Sequence, residues 1–183
     1  MVLPLQLDRD LELRAIGEAD TEALFALVER NREHLREWLP WLDANTTIAQ
    51  TRDFVRSVLA QEEQGLGSCC TVVFEGRVVG TVGYKPIRWA DRSVEIGYWL
   101  SRDAVGRGLM TRSCRALVEH AFAGLGLRQV VIRVAVGNAR SRAIPERLGF
   151  TAECVIGNAE WLYDHFVDHI VYAMRRGDWA GAA

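Results

Sequence analysis

The segment EIGYWLSRDAVGRGLMTRSCRALVEHAF, Glu95–Phe122, runs from a β-strand through a glycine-bearing loop into an amphipathic helix. The strand is predicted over Ser93–Leu100, rich in β-branched and aromatic residues. The helix is predicted from Leu109 to about Ala123. Met110, Cys114, Leu117, Val118, Ala121, Phe122 and Leu125 repeat at the spacing of one helical face, and Arg112, Arg115 and Glu119 take the other. Gly106 and Gly108 flank Arg107 just before the helix. The first amides of a helix lack partners within it and carry the positive end of its dipole. Glycines there let an anion approach the backbone. Val105, Gly106, Arg107, Gly108, Leu109, Met110 and Thr111 therefore form a candidate phosphate cradle. An ordinary strand-to-helix turn with two glycines at positive φ fits the same residues. The dinucleotide fingerprint is absent, because Thr111 stands where its third glycine would be, and no Walker pattern occurs.

At 183 residues the chain reads as one domain, residues 1–183, large enough for a substantial core. Hydrophobic residues make up 49% and charged residues 25%, the balance of a soluble globular protein. A net charge of -2 gives no basis for nucleic-acid binding. No apolar run reaches the roughly 20 residues of a membrane helix, and the N-terminus does not read as a signal peptide. Cys69, Cys70, Cys114 and Cys154 have no C-x-x-C spacing. Buried free thiols in a reducing cytoplasm are the expectation, with Cys69 and Cys70 on opposite faces of a strand.

Outward from the opening segment, Leu11–Ile16 reads as a strand and is followed by helix signals from Glu18 to Leu35. Pro40 forces a turn between Trp38 and Trp41. Trp38 is expected to plug the core and Trp41 to form a wall for a substrate. Thr47 and Gln50 make a capping box for a second helix, ended by Gly65 and Gly67. Ser68–Phe74 and Arg77–Tyr84 are strands joined by a turn at Glu75-Gly76. Gln129–Val136 is nearly all apolar and β-branched, as in a buried strand parallel to Ser93–Leu100. A short helix over Asn138–Arg147 and strands over Phe150–Ile156 and Phe166–Met174 complete the order β-α-α-β-β-β-α-β-α-β-β. The fold class is α+β: a mixed, mostly antiparallel sheet flanked by helices.

Three blocks, in order, resemble the GCN5-related N-acetyltransferases. The loop at Gly106–Met110 is similar to the family's Gln/Arg-x-x-Gly-x-Gly/Ala coenzyme loop. Gly108 matches, while Val105 stands at the Gln/Arg position and Met110, expected to crowd the cradle, at the Gly/Ala position. Asn138–Phe150, NARSRAIPERLGF, resembles the segment after the family's fifth strand. Ala159–Met174, and also Asn31–Leu42, resemble the RimJ/RimL branch, which acetylates ribosomal proteins.

The resemblance implies an acetyl-CoA-dependent N-acetyltransferase with no metal, cytoplasmic and homodimeric, acting by direct transfer in a ternary complex. Backbone amides of Val105–Thr111 would hold the pyrophosphate. Leu100 and Ser101 would offer backbone groups to pantetheine and the thioester carbonyl, and Asn138 would bond the pantetheine arm. Ser141 would protonate the leaving thiolate and Glu160 would be the base, through a water. Trp41 and Tyr98 would contact the acceptor. Glu95 is a rival base and Tyr98 a rival acid. Arg107, Arg112 and Arg140 are candidates for the 3′-phosphate or are solvated surface arginines. The implied acceptor is a protein N-terminus, with a small amine (antibiotic, polyamine or amino acid) or a non-catalytic acyl-CoA-binding module as alternatives.

The residue types suit this chemistry. A terminal amine has a pKa of about 8, so modest help deprotonates it. Pro145, four residues after Ser141, leaves the Ser141 carbonyl without its helical partner. That predicts a kink or helix start at Ser141. His165 and His169, beside Asp164 and Asp168, lack a clear third ligand and are expected to pack on aromatics. His34 and His120 carry no signal.

Overall fold

The computed structural model describes residues 5–180. Eight strands form one sheet in the order β1-β2-β3-β4-β5-β6-β8-β7. They are β1 (Leu5–Gln6), β2 (Leu11–Ala15), β3 (Ser68–Phe74), β4 (Arg77–Tyr84), β5 (Ser93–Leu100), β6 (Gln129–Ala135), β7 (Thr151–Leu162) and β8 (His165–Arg175). Five helices accompany them: α1 (Thr21–Arg30), α2 (Arg32–Arg36), α3 (Ile48–Glu63), α4 (Leu109–Glu119) and α5 (Ala139–Arg147). All pairings are antiparallel except β5 with β6. The α+β expectation holds; β1 and the short α2 are additions to the expected order.

The sheet is covered on both sides. On one face α4 and α5 bury Leu109, Met110, Cys114, Leu117, Val118 and Ile144 against Val72, Val82, Ile96 and Ile132. On the other, α1 and α3 bury Leu24, Val55 and Val58 against Ile16, with Cys69, Val78 and Trp99 packed alongside. Adjacent residues on a strand point to opposite faces. Cys70 accordingly lies in the first cluster and Cys69 packs on the second. Burial pushes the thiols of Cys69, to about 12, and of Cys70 and Cys114 upward. Cys154, on β7, is exposed, contrary to the expectation that all four thiols are buried.

Local signals place most boundaries. The Thr47–Gln50 capping box forms at the start of α3, and Glu75 and Gly76 both take positive φ in the β3–β4 turn. α4 stops at Glu119, earlier than its periodicity suggests, and a wider turn over His120–Gly124 continues it. β7 runs past Ile156 to Leu162. Gly157 and Asn158, which resemble a turn, belong to an irregularity in register between Ile156 and Glu160, and Asn158 takes φ 49°. Such bulges insert residues without ending a strand.

The feature that builds the site is a split in the sheet. β5 and β6 pair only over Ser93–Glu95 and Gln129–Val131. Beyond them β5 stays on β4 as far as Leu100, while β6 stays on β8 as far as Ala135. The two parallel strands therefore diverge and leave a wedge between their C-terminal halves.

Candidate active site

A cleft of about 1820 Å³ opens at this wedge. It is lined on the side of α4 and α5 by Tyr98, Leu100, Val105, Gly106, Gly108, Leu109, Met110, Thr111, Asn138 and Ser141, and on the other by Trp41, Glu160 and their neighbours. Of the residues selected from sequence, only Ser101 and Arg107 are absent from its walls.

The backbone of β5 explains Ser101. The Ser101 N–H donates to the Val79 carbonyl at 2.8 Å, and the Lys85 N–H donates to the Glu95 carbonyl at 2.9 Å. In an antiparallel ladder alternate residues turn their polar groups toward the partner strand. Ser101, Trp99 and Gly97 thus face β4, and Leu100, Tyr98 and Ile96 turn theirs to the wedge. Leu100, not Ser101, presents backbone groups to the cleft. His34 also lines the cleft, a placement its sequence position does not announce, and burial lowers its pKa.

The loop before α4 has the form of an anion cradle. Gly106 and Gly108 hold φ of 80° and 71°, and a Cβ on either would meet nothing within 4 Å. They are needed for their backbone conformation, not to avoid a clash. Gly108 is the N-cap residue, and the first helical bond runs from the Arg112 N–H to its carbonyl. The amides of Leu109, Met110 and Thr111 precede that bond and have no carbonyl within the helix. The Met110 side chain is 4% exposed and lies in the main core, so it does not crowd the cradle. These residues fit a pyrophosphate. Of the three arginines considered for the 3′-phosphate, Arg112 pairs with Asp8, Arg107 lies 5.6 Å above the Phe74 ring, and Arg140 lines the cleft.

α5 carries the Asn138–Ser141 pair. It begins at Ala139 with Asn138 as cap, whose Oδ1 accepts the Ser141 N–H at 3.1 Å, so the helix starts two residues earlier than the proline suggests. What holds is the premise, that Pro145 leaves the Ser141 carbonyl without its helical partner. The Ser141 carbonyl, denied its helical donor, accepts from the Tyr98 hydroxyl at 3.2 Å. The Ser141 hydroxyl in turn donates to Tyr98 Oη at 3.1 Å. Burial pushes the Tyr98 phenol well above its ordinary range, which keeps it neutral.

The opposite wall carries the charged groups. Glu160 on β7 and His169 on β8 both line the cleft, with Glu160 Oε2 3.6 Å from His169 Nε2. Glu95 is fully engaged: Oε1 accepts from Lys85 Nζ at 2.5 Å and Oε2 from Arg133 Nε at 2.8 Å. Its two oxygens are spent on cations, which argues against the rival base. Trp41 is half-buried, its ring centre 6.4 Å from that of Trp99. Trp38 is half-buried too. It stands beside Gly137 at the cleft wall, where a Cβ would lie 3.3 Å from its ring, and it does not plug the core. The tip of the β7–β8 hairpin is anchored to this wall. Tyr163 donates to the Leu39 carbonyl, and its ring lies 3.7 Å below the Arg36 guanidinium. Neither hairpin histidine shows the expected aromatic packing: His165 binds Asp164 at 2.6 Å and His169 faces Glu160. Among the described residues no group of three or more acidic, histidine or cysteine side chains could hold a metal.

Comparison with known proteins agrees with this geometry. The family model for the acetyltransferase (GNAT) domain matches residues 10–151. A ribosomal-protein-serine acetyltransferase of Escherichia coli is 28% identical over 94% of this chain and 97% of its own. A RimL structure, described as a ribosomal L7/L12 alpha-N-protein acetyltransferase in complex with coenzyme A, is 29% identical. It superposes with a TM-score of 0.91 over 94% of this chain and 98% of that one. The microcin C7 self-immunity acetyltransferase MccE, solved with acetyl-CoA and AMP, has a TM-score of 0.89 over 94% and 96% of the two chains. At 22% identity that likeness speaks for the fold.

Proposed function

Because the chain belongs to the acetyltransferase (GNAT) family and is an acetyl-CoA-dependent N-acetyltransferase, we propose that its acceptor is the N-terminal α-amine of a protein, a ribosomal protein in particular. The reaction is direct transfer in a ternary complex, in the cytoplasm. The observation that carries this reading is the acceptor wall of the cleft. From Glu160 it runs past Trp41 to Gln50, Phe54 and Ser57 on the outer face of α3, and Phe54 is 45% exposed. That is room for an extended chain behind its amine. Of the three acids that line the cleft, Glu37, Glu95 and Glu160, Glu95 is neutralised by Lys85 and Arg133, which leaves less negative charge than a polyamine-type acceptor would call for. The kinship with ribosomal-protein acetyltransferases supports the same choice.

In this reading the amides of Leu109, Met110 and Thr111 hold the pyrophosphate, the Leu100 backbone faces the thioester, and Asn138 holds the pantetheine arm with the amide NH2 that its helix cap leaves over. Acetyl-CoA supplies the thioester. Glu160, through a water, takes a proton from the acceptor ammonium. Ser141 gives a proton to the departing thiolate, with Tyr98 holding its hydroxyl in place. We place the dimer interface on β7, the sheet edge that exposes Val155 and Ile156.

The test is an acetyl-CoA assay on two panels, short peptides differing in their first residue and small amines, read by thiol release and product mass. Transfer to the peptide α-amine, lost in Ser141→Ala and Glu160→Gln, is the expected result. Transfer confined to small amines overturns the proposed acceptor. Coenzyme binding without transfer to any amine would favour a non-catalytic module.

A further inference from the structure

The acceptor wall holds one group that this reaction scheme leaves unused. His169 lies on β8 between β6 and β7, with Ala135 and Ile156 as its strand partners. Its side chain is 13% exposed, and Nε2 points to Glu160 Oε2 across 3.6 Å. The register irregularity in β7 sets this up. It places Glu160 opposite Val167, diagonal to His169, instead of further along the hairpin.

Four charged groups act on the ring: Arg133 and Glu160 from the neighbouring β6 and β7, Glu95 from β5, and Lys85 from just past β4. Burial lowers the His169 pKa most, Glu160 and Glu95 raise it, and Arg133 and Lys85 lower it.

A carboxylate by itself is poorly matched to the proton it must take. Reference values are about 4.3 for a glutamate and about 8 for a terminal amine, a gap of roughly 3.7 units. An unperturbed imidazole, at about 6.5, would narrow the gap to roughly 1.5; burial of His169 gives part of that back. Proton transfer works best between groups of matched pKa. Glu95 cannot serve, because both its oxygens are held by cations. Tyr98 turns to the other face of the sheet, where it holds Ser141.

We infer that His169 is a proton-relay residue for acetyl transfer, receiving through Glu160 the proton that the acceptor ammonium gives up and releasing it to solvent. The inference rests on the reading of Glu160 as the base. The balance is simple. One N–H bond of the ammonium breaks, its electron pair stays on the nitrogen that attacks the thioester carbon, and the proton passes over the Glu160 carboxylate to His169 Nε2. Loss of that proton to water restores the neutral ring. His169 acts through Glu160 and makes no contact with the reacting carbon.

The test uses the full chain and two readouts. The first needs no acceptor. NMR titration of the imidazoles, simple with four histidines and assigned with His169→Gln, is run on the wild-type protein and on Glu160→Gln. The His169 midpoint should fall when the neighbouring carboxylate is neutralised; an unmoved midpoint overturns the pairing. The second is the pH profile of acetyl transfer. His169→Gln should lower kcat about tenfold or more with the KM for acetyl-CoA unchanged, and should displace the acid limb of the profile. Added imidazole should restore part of the rate to His169→Ala. A dead Glu160→Gln alongside His169→Gln with wild-type rate and profile overturns the relay alone. A fully active Glu160→Gln overturns the base reading and the relay with it.

Discussion

The contact between Tyr98 and Ser141 can be tested as an energy. Pro145 removes the amide that would have bonded the Ser141 carbonyl, and the Tyr98 hydroxyl replaces it at 3.2 Å. Tyr98→Phe keeps the ring and takes away the donor. A half-buried carbonyl stripped of its partner costs about 1–2 kcal/mol. In a chain of 183 residues, 1 kcal/mol moves Tm by about 2–4 °C, so the expected loss is about 2–8 °C. The control is Pro145→Ala, which restores an N–H at the right position for an ordinary helical bond to Ser141. In that background Tyr98→Phe should cost about 1 kcal/mol less. The double-mutant cycle cancels the packing that Pro145→Ala itself loses, because that loss is common to both arms. Calorimetry or denaturant unfolding of the four proteins measures it. If the two substitutions add within about 0.5 kcal/mol, Tyr98 is not the surrogate donor and the argument from the proline is wrong.

Other expectations are more direct. Glu160→Gln should reduce kcat about 10²–10⁴-fold, the usual scale for a general base, with little change in the KM for acetyl-CoA in steady-state assays. Gly108→Ala forces an alanine to φ 71°, at a cost of about 1–2 kcal/mol. It should weaken acetyl-CoA binding in a calorimetric titration, because relaxing that strain moves the amides of the cradle. Folding should also be acid-sensitive. Burial holds His34, His120 and His169 below the ordinary histidine value of about 6.5. The unfolded chain then binds more protons than the folded one as pH falls below that value. Stability from these sites is complete above it and declines toward the lower folded pKa values. Tm measured from pH 8 to 5 should drop on the acid side, and less steeply in a His120→Gln protein.

Much of the architecture was legible because it is local. The β3–β4 hairpin follows from Glu75-Gly76, the start of α3 from Thr47 and Gln50, and the α4 cradle from Gly106 and Gly108. Each is a conformational requirement met by residues within four positions of one another. The misreadings come from signals whose meaning depends on distant partners. The strand read as ending at Ile156 runs on to Leu162 through a bulge, because β8 continues the ladder on its far side. Trp38 looks like core and stands at the cleft, because Gly137 leaves space for its ring. Leu100, and not Ser101, faces the wedge, because the ladder with β4 sets which amides are consumed.

The sequence by itself therefore determined most of the elements, the two buried faces of the sheet and the glycine loop before α4, since all of these rest on periodicity and short-range backbone chemistry, and its motifs carried the resemblance that points to acetyl transfer. Tertiary structure alone decided where β5 and β6 part, that Glu95 is silenced by Lys85 and Arg133, and that His169 meets Glu160. Those depend on strand register across the sheet. The residues involved lie tens of positions apart on different strands, or are brought together across an irregular ladder, where no spacing along the chain could signal the contact.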